Sequence, residues 1–124
     1  MFAVRRRTEI DPAEFHSYWR DQHGPLVRSL QPALGIRRYV QTHRMETPLN
    51  EMLRVSRDAL EPFDGVAELW WDDLDALVAA TSSSEGSAAG QILLEDEAKF
   101  IDLERSNLWL GQEIEIIPLD SNRE

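Results

Sequence analysis

Three histidines give this chain its clearest capacity for proton transfer, because the imidazole pKa lies near neutrality. His23 ends a stretch with helical spacing and, at about 100° per residue, lies about 40° round the helix from Trp19, which faces the core. We therefore predict that His23 sits at the core margin and exchanges protons with a bound substrate. The alternative is a histidine that only hydrogen-bonds the loop after the helix. His16 falls on the polar side of the same stretch, with Arg20, and is predicted to be a surface residue.

A second group of polar side chains alternates along the segment IRRYVQTHRM. Tyr39, Gln41 and His43 share one face of this segment if it is extended. A phenol, an amide and an imidazole could then line one cavity and donate hydrogen bonds to a developing enolate or phenolate oxygen. Ordinary interface residues of a sheet would show the same alternation. We predict catalytic roles for Tyr39 and His43, and ligand binding for Gln41.

A carboxylate interrupts the apolar segment FDGVAELWW. Glu68 alternates onto the face of Trp70, where apolar surroundings would raise the carboxyl pKa toward that of a general acid or base. The alternative is an ion pair with Arg38 or Arg6. Trp70, like Trp19, has the default role of a core or dimer residue, although either indole could stack on a planar ligand. We predict Glu68 as catalytic and the two tryptophans as ligand-binding.

Composition and motif spacing argue against several other kinds of functional site. The chain has no cysteine, so it has no thiol nucleophile, disulfide or Cys-rich zinc site. The histidines lack an HExxH-like spacing, and there is no glycine-rich phosphate loop or nucleotide fingerprint, so neither a metal nor another cofactor is expected. A net charge of −10 disfavours nucleic acid and anionic membrane surfaces as partners. Arginines at positions 5–7 replace the apolar stretch of a signal peptide, and we expect a soluble cytoplasmic protein.

Capping signals and apolar periodicity predict the elements that must position these side chains. Asp11 is an N-cap, Pro12 fits the first helical position and Glu14 completes a capping box, so a helix begins at Asp11. Gly24-Pro25 should kink or end that helix. Further helices are expected at residues 74–80 and 87–102, and a short one at 50–60. Strands are expected at residues 2–7, 36–45, 63–71 and 108–117.

This element order is βαβ, an excursion over residues 45–62, then βαβ. Two such split units form a ferredoxin-like, four-stranded antiparallel sheet with helices on one face, a single α+β domain over residues 1–124. The other face is left bare, and we expect it to carry Tyr39, Val66 and Trp70. An apolar face of that size requires a partner, so we predict a homodimer whose sheets face one another.

Four segments together resemble the landmarks of the EthD family, in order and at fitting separations: EFHSYWRDQHGPLV, GIRRYVQTH, FDGVAELWWDDLDAL and EDEAKFIDLERS. The resemblance covers nearly the whole chain and implies the dimeric α/β barrel fold. It also implies a cavity between sheet and helices that holds a small hydrophobic molecule, often aromatic or polyketide-like.

The resemblance does not fix one reaction, since relatives include polyketide dehydratases and cyclases, a muconolactone methylisomerase, cofactor-free monooxygenases and proteins of ether-degradation clusters. His23 and Tyr39 could match the methylisomerase histidine and tyrosine, but this chain lacks the cysteines of that pocket. We predict a cofactor-free enzyme of lyase, cyclase or isomerase type acting on a hydrophobic oxygenated substrate. The alternatives are a cofactor-independent monooxygenase and a non-catalytic metabolite-binding or accessory protein of a catabolic or biosynthetic cluster.

Overall fold

The computed structural model of the protein describes residues 1–120, so the last four residues of the predicted domain lie outside the described part. The strands are β1 (Phe2–Val4), β2 (Arg38–His43), β3 (Gly65–Trp70) and β4 (Asn107–Leu108). The helices are α1 (Pro12–Tyr18), α2 (Gly24–Ser29), α3 (Gln31–Leu34), α4 (Pro48–Ser56), α5 (Leu74–Ser82) and α6 (Ser84–Phe100). A π-turn (Trp19–His23) joins α1 to α2, and a 3₁₀ turn (Leu103–Arg105) precedes β4.

The four strands form one antiparallel sheet in the order β2-β3-β1-β4. This order, with the helices packed on one face, confirms the predicted ferredoxin-like α+β fold. The core between the sheet and the helices contains two apolar clusters. One surrounds Phe15, Trp19 and Phe100, and the other surrounds Val27 and Leu93. No helix within residues 1–120 is long and apolar enough to cross a membrane.

The first helix begins where its capping signals predict. The Asp11 side chain accepts a hydrogen bond from the Glu14 backbone N–H at 2.8 Å, and Pro12 occupies the first helical position. Pro25 does not end the helical run, because it lies in the first turn of α2, where a missing N–H is tolerated.

The π-turn changes which side chains of this run face the core. The Gly24 N–H bonds to the Trp19 carbonyl, five residues back, so the turn holds an extra residue. Trp19, His23 and Val27 are therefore buried in succession, and Gln22 is exposed. An ideal α-helix, at about 100° per residue, would place Gln22 on the core face instead.

The pairing of β2 with β3 corrects the predicted faces of the sheet. Tyr39 lies opposite Leu69, while Val40 lies opposite Glu68, so Tyr39 and Glu68 are on opposite faces. Tyr39 faces the helices, and Trp70 and Val66 face away from them. The prediction of Tyr39 on the bare face was wrong because alternation separates two sets of residues without saying which set is buried.

Two segments differ in length from the predicted elements. The last strand was expected over residues 108–117, but β4 contains only Asn107 and Leu108. Trp109 still exchanges two backbone hydrogen bonds with Met1, but residues 109–120 form no strand, and apolar side chains such as Ile114 and Ile116 are exposed there. In the excursion, Thr47 caps α4, which starts and ends earlier than the predicted 50–60 helix.

Candidate functional site

The deepest ionisable group of the first helical run is His23, which is only 4% exposed. Its Nδ1 lies 2.7 Å from a carboxylate oxygen of Asp96, a residue buried on α6. The other oxygen of Asp96 accepts a hydrogen bond from the Tyr18 hydroxyl at 2.5 Å. The His23 Nε2 atom has no partner within residues 1–120 and is not fully buried.

Burial and hydrogen bonding set the charges of this cluster. Burial lowers the pKa of His23, which outweighs the opposite effect of Asp96. Burial acts to raise the pKa of Asp96, but the hydrogen bonds from Tyr18 and His23 outweigh it, so the net pKa is lowered. Burial, together with the Asp96 hydrogen bond and charge, raises the pKa of Tyr18 to about 12. His23 is therefore neutral at pH 7, donates from Nδ1 to an ionised Asp96, and keeps a free lone pair on Nε2.

Glu97, next to Asp96 on α6, is a carboxyl group with an unusual pKa. Burial raises its pKa to about 7, and the charge of Asp96 adds to the rise. Its carboxyl group forms no hydrogen bond or ion pair in the described chain. The charge of Glu97 also acts on Tyr39, whose pKa is raised mainly by burial. At neutral pH Glu97 can therefore give or take a proton.

Four polar side chains form a continuous hydrogen-bonded chain beside β2. The Nδ1 atoms of His16 and His43 are 2.7 Å apart, and His43 Nε2 lies 2.8 Å from Gln41 Oε1. Gln41 Nε2 donates to the Tyr39 hydroxyl oxygen at 2.9 Å and to the Trp19 carbonyl at 2.8 Å. The Trp19 carbonyl only accepts, so it fixes the orientation of the Gln41 amide.

The proton positions along this chain follow from the donors and acceptors. Gln41 Oε1 accepts, so His43 Nε2 carries a proton. Burial lowers the pKa of both His16 and His43, and repulsion from the protonated form of His16 and from Arg20 lowers that of His43 further. His43 is therefore neutral, its Nδ1 accepts, and His16 Nδ1 donates. At the other end, the Tyr39 oxygen accepts from Gln41, which leaves the Tyr39 O–H proton free to be donated.

A cleft of about 560 Å³ lies between the helical run and β2 and exposes part of this chain. Tyr39, Gln41 and His43 line it together with Gly24, which places the polar end of β2 against the helix that carries His23. His23 itself is not among the lining residues, because its ring packs against Phe100 on the α6 side of the run. Tyr39 links the two regions, since it lines the cleft and packs against both apolar clusters.

The EthD domain family model matches residues 7–104. The chain belongs to the EthD family. A similar solved structure is the crystal structure of an ethyl tert-butyl ether D (EthD) family protein from Bacillus halodurans C-125. The two chains are 25% identical, with a TM-score of 0.59 and coverage of 91% of this chain and 95% of the other. No curated protein is significantly similar to the chain. The family expected from the sequence is thus confirmed, and no reaction is named by these similarities.

In this EthD protein, the structure brings together only part of the predicted site. Tyr39, Gln41 and His43 share the cleft. Glu68 and Trp70 lie on the opposite face of the sheet, so Glu68 cannot act beside Tyr39 in this arrangement.

The predicted stacking tryptophans also lie outside the cleft of this EthD protein. The Trp70 ring lies under the Arg38 guanidinium, 4.6 Å from its centre. Trp19 is 1% exposed and packs against His43 and Phe15 in the core.

Three residues of the EthD site were missed by sequence reasoning. Asp96 and Glu97 occur in the acidic run EDE of an amphipathic helix, where carboxylates usually face solvent. His16 was predicted at the surface, but it is half-buried against His43, and its Nε2 is a buried atom without a partner in residues 1–120. The EDE run offered one signal, because three consecutive residues span about 200° of a helix, which brings at least one of them to the edge of the apolar face.

Proposed function

We propose that this EthD protein is a cofactor-free enzyme that transfers protons on a small oxygenated organic molecule bound in the cleft. The observation that carries the proposal is the chain His16–His43–Gln41–Tyr39, which ends in a free hydroxyl donor on the cleft wall. A positioned donor of this kind stabilises negative charge that develops on a substrate oxygen. The reaction class is that of a lyase, cyclase or isomerase, on an aromatic or polyketide-like substrate of the kind that the family suggests.

Tyr39 is the proposed electrophilic group. Burial raises its pKa, so the phenol stays protonated at pH 7 and donates rather than accepts a proton. The Gln41 N–H bonds to the same oxygen and supports it as charge builds up during donation. His43 and His16 hold Gln41 in this orientation, and in this role they are positioning residues.

His23 is the proposed general base. The Asp96 carboxylate orients the imidazole and stabilises the imidazolium that forms when Nε2 accepts a proton. Its neutral state and free Nε2 are the two properties that a base acting on a carbon acid needs. His23 does not line the cleft, so this role requires a substrate that extends past Tyr39, on which the charge of Glu97, with a pKa of about 7, also acts.

A homodimer is the proposed assembly. The sheet face turned away from the helices carries Val40, Val66 and Trp70, which are only partly covered in the single chain. A second copy packed on this face would bury them, as in the barrel dimer that the family resemblance implies.

Exchange of carbon-bound hydrogen for deuterium tests the proposed chemistry without a known substrate. 2-Tetralone is an aromatic ketone with acidic C–H groups, and proton NMR in D₂O follows its exchange. We expect the wild type to accelerate exchange, and both Tyr39→Phe and His23→Asn to reduce the enzymatic rate by about 100-fold or more. Gln22→Ala, an exposed neighbour on the same run, is the control and should keep the wild-type rate.

The outcomes separate the competing functions. Full exchange by a folded Tyr39→Phe protein would contradict the proposed donor. Loss of deuterium exchange in Tyr39→Phe, together with full exchange in His23→Asn, would remove His23 from the mechanism. Binding of 2-tetralone with no exchange by the wild type would favour a non-catalytic binding protein, and oxygen consumption with electron-rich phenols would favour a monooxygenase.

A further inference from the structure

The lining of the cleft is strongly basic, although the whole protein has a net charge of −10. No carboxylate lines the cleft. Four arginines do: Arg20, Arg28, Arg37 and Arg38. These are four of the 13 basic side chains of the protein, so the charge of this one surface opposes that of the molecule as a whole.

Two of the four arginines are engaged with exposed carboxylates outside the cleft lining. Arg20 Nε lies 3.0 Å from an oxygen of Asp21, and Arg37 Nε lies 3.3 Å from an oxygen of Asp72. Exposed pairs of this kind are weak and are screened by solvent. These pairs partly neutralise the charges of Arg20 and Arg37, and they leave the charges of Arg28 and Arg38 unchanged.

Arg28 and Arg38 have no carboxylate partner in the described chain. The Arg28 side chain forms no hydrogen bond or ion pair there. The Arg38 guanidinium stacks on the Trp70 ring, on the sheet face turned away from the helices, so Arg28 is the lining arginine whose N–H edge stays available to the cleft. Such an edge matches the two oxygens of a carboxylate, to which arginine donates two parallel hydrogen bonds.

The remaining lining favours an organic ligand over an inorganic anion. Pro25, Val27 and Ile36 give the cleft an apolar wall, and Tyr39 stands beside them. We infer that the ligand is a small organic carboxylate, whose charged group binds Arg28 and whose apolar body lies toward Tyr39. This inference rests on the proposed function, because it takes the cleft as the substrate site, and it adds the charge of the substrate.

A matched pair of aromatic probes tests the inference by calorimetric titration. 2-Naphthoate and 2-naphthamide have the same ring system and differ in charge. We expect the wild type to bind 2-naphthoate about 10-fold or more tightly than 2-naphthamide, because hydrogen bonds between charged groups are stronger than neutral ones. Arg28→Gln should remove most of that preference, and added salt should weaken it. Arg57→Gln removes the same charge at the end of α4, away from the cleft lining, and should keep it.

Equal binding of the two probes by the wild type would overturn the inference, and so would failure to bind 2-naphthoate at millimolar concentration. Equal effects of Arg28→Gln and Arg57→Gln would overturn it as well. Inorganic phosphate that bound as tightly as 2-naphthoate would contradict the organic ligand. The titration needs no turnover, so its failure is distinct from unchanged exchange in Tyr39→Phe, which would remove the proposed chemistry instead.

Discussion

At the scale of single residues, burial decides the charge of the ionisable groups on the helical side of the sheet. It lowers the pKa of His16, His23 and His43, and it raises the pKa of Glu97. All four shifts favour the neutral form, as expected where charges lose their solvation. A neutral imidazole can accept a proton and a protonated carboxyl can donate one near pH 7. Burial in the core therefore gives these groups the protonation states that proton transfer requires.

Glu97→Gln tests this effect of burial on stability. The pKa of Glu97 is raised from 4.5 to about 7, so the folded state binds more protons than the unfolded state between these pH values. Stability contributed by this group is therefore present below about pH 4.5 and is lost as the pH rises through 7. The loss is on the order of 3 kcal/mol, at about 1.4 kcal/mol per pKa unit. Urea denaturation should show Glu97→Gln more stable than the wild type at pH 8 and nearly equal to it at pH 4.5.

The control for this measurement is Glu95→Gln, which removes a carboxylate from the exposed side of the same helix. An advantage of Glu97→Gln that is the same at both pH values would show that the side chain has an ordinary pKa.

At the scale of elements, the fit between the helical run and the sheet depends on a close approach at β3. Gly65 packs under the buried Trp19 ring, and a Cβ there would lie 2.5 Å from both that ring and the Thr42 carbonyl oxygen. Glycine is needed here because the backbone of one element touches the side chain of another. The contact fixes the position of Trp19, whose carbonyl in turn fixes Gln41.

Gly65→Ala should therefore destabilise the fold, while alanine at another glycine should not. Neither backbone nor buried indole moves easily, so we expect a loss of about 1–3 kcal/mol in the free energy of unfolding. Gly90 lies within α6 with no atom within 4 Å of an added Cβ. Gly90→Ala should stabilise the protein by about 0.5–1 kcal/mol, since glycine is a poor helix former. Chemical denaturation compares the two, and equal effects would contradict the proposed packing at Gly65.

Capping residues and local periodicity predicted where helices begin better than the sequence predicted contacts between elements. Asp11 and Pro12 specify the start of α1 through chemistry contained in a few residues. The π-turn adds one residue to a helical turn and so rotates the side chains that follow it. It depends on the packing of His23 against α6, a contact between distant segments that the local sequence does not specify.

The candidate site was harder to predict than its elements. Alternation correctly grouped Tyr39 with Gln41 and His43, but the buried face and the partner Asp96 depend on contacts between distant segments.

At the scale of the whole molecule, the sheet has one covered face and one that is only partly covered in the single chain. Val66 lies on the latter, opposite Thr42 on β2. Beyond β4, the segment to residue 120, which is neither helix nor strand, also exposes apolar side chains, including Leu110 and Ile116. Both features are typical of a surface that a second protomer covers.

Val66→Lys tests the proposed homodimer. A charge placed at the centre of an apolar interface costs several kcal/mol when it is buried without a partner, so we expect dimers to become monomers. Val78→Lys makes the same change on the exposed side of α5 and should leave the dimer intact. Native mass spectrometry measures the masses directly. A wild type that is monomeric at micromolar concentration, or a dimeric Val66→Lys protein, would contradict the proposed interface.

The hydrogen bond from Tyr39 to a substrate oxygen is tested most directly by the carbonyl group of a bound ketone. 2-Tetralone labelled with ¹³C at the carbonyl reports hydrogen bonding through its infrared stretching frequency, which falls when a donor polarises the C=O bond. The free Tyr39 O–H on the cleft wall predicts a lower frequency for ketone bound to the wild type than for ketone bound to Tyr39→Phe. The same frequency in both proteins, with ketone bound to each, would contradict the assignment of Tyr39 as the donor.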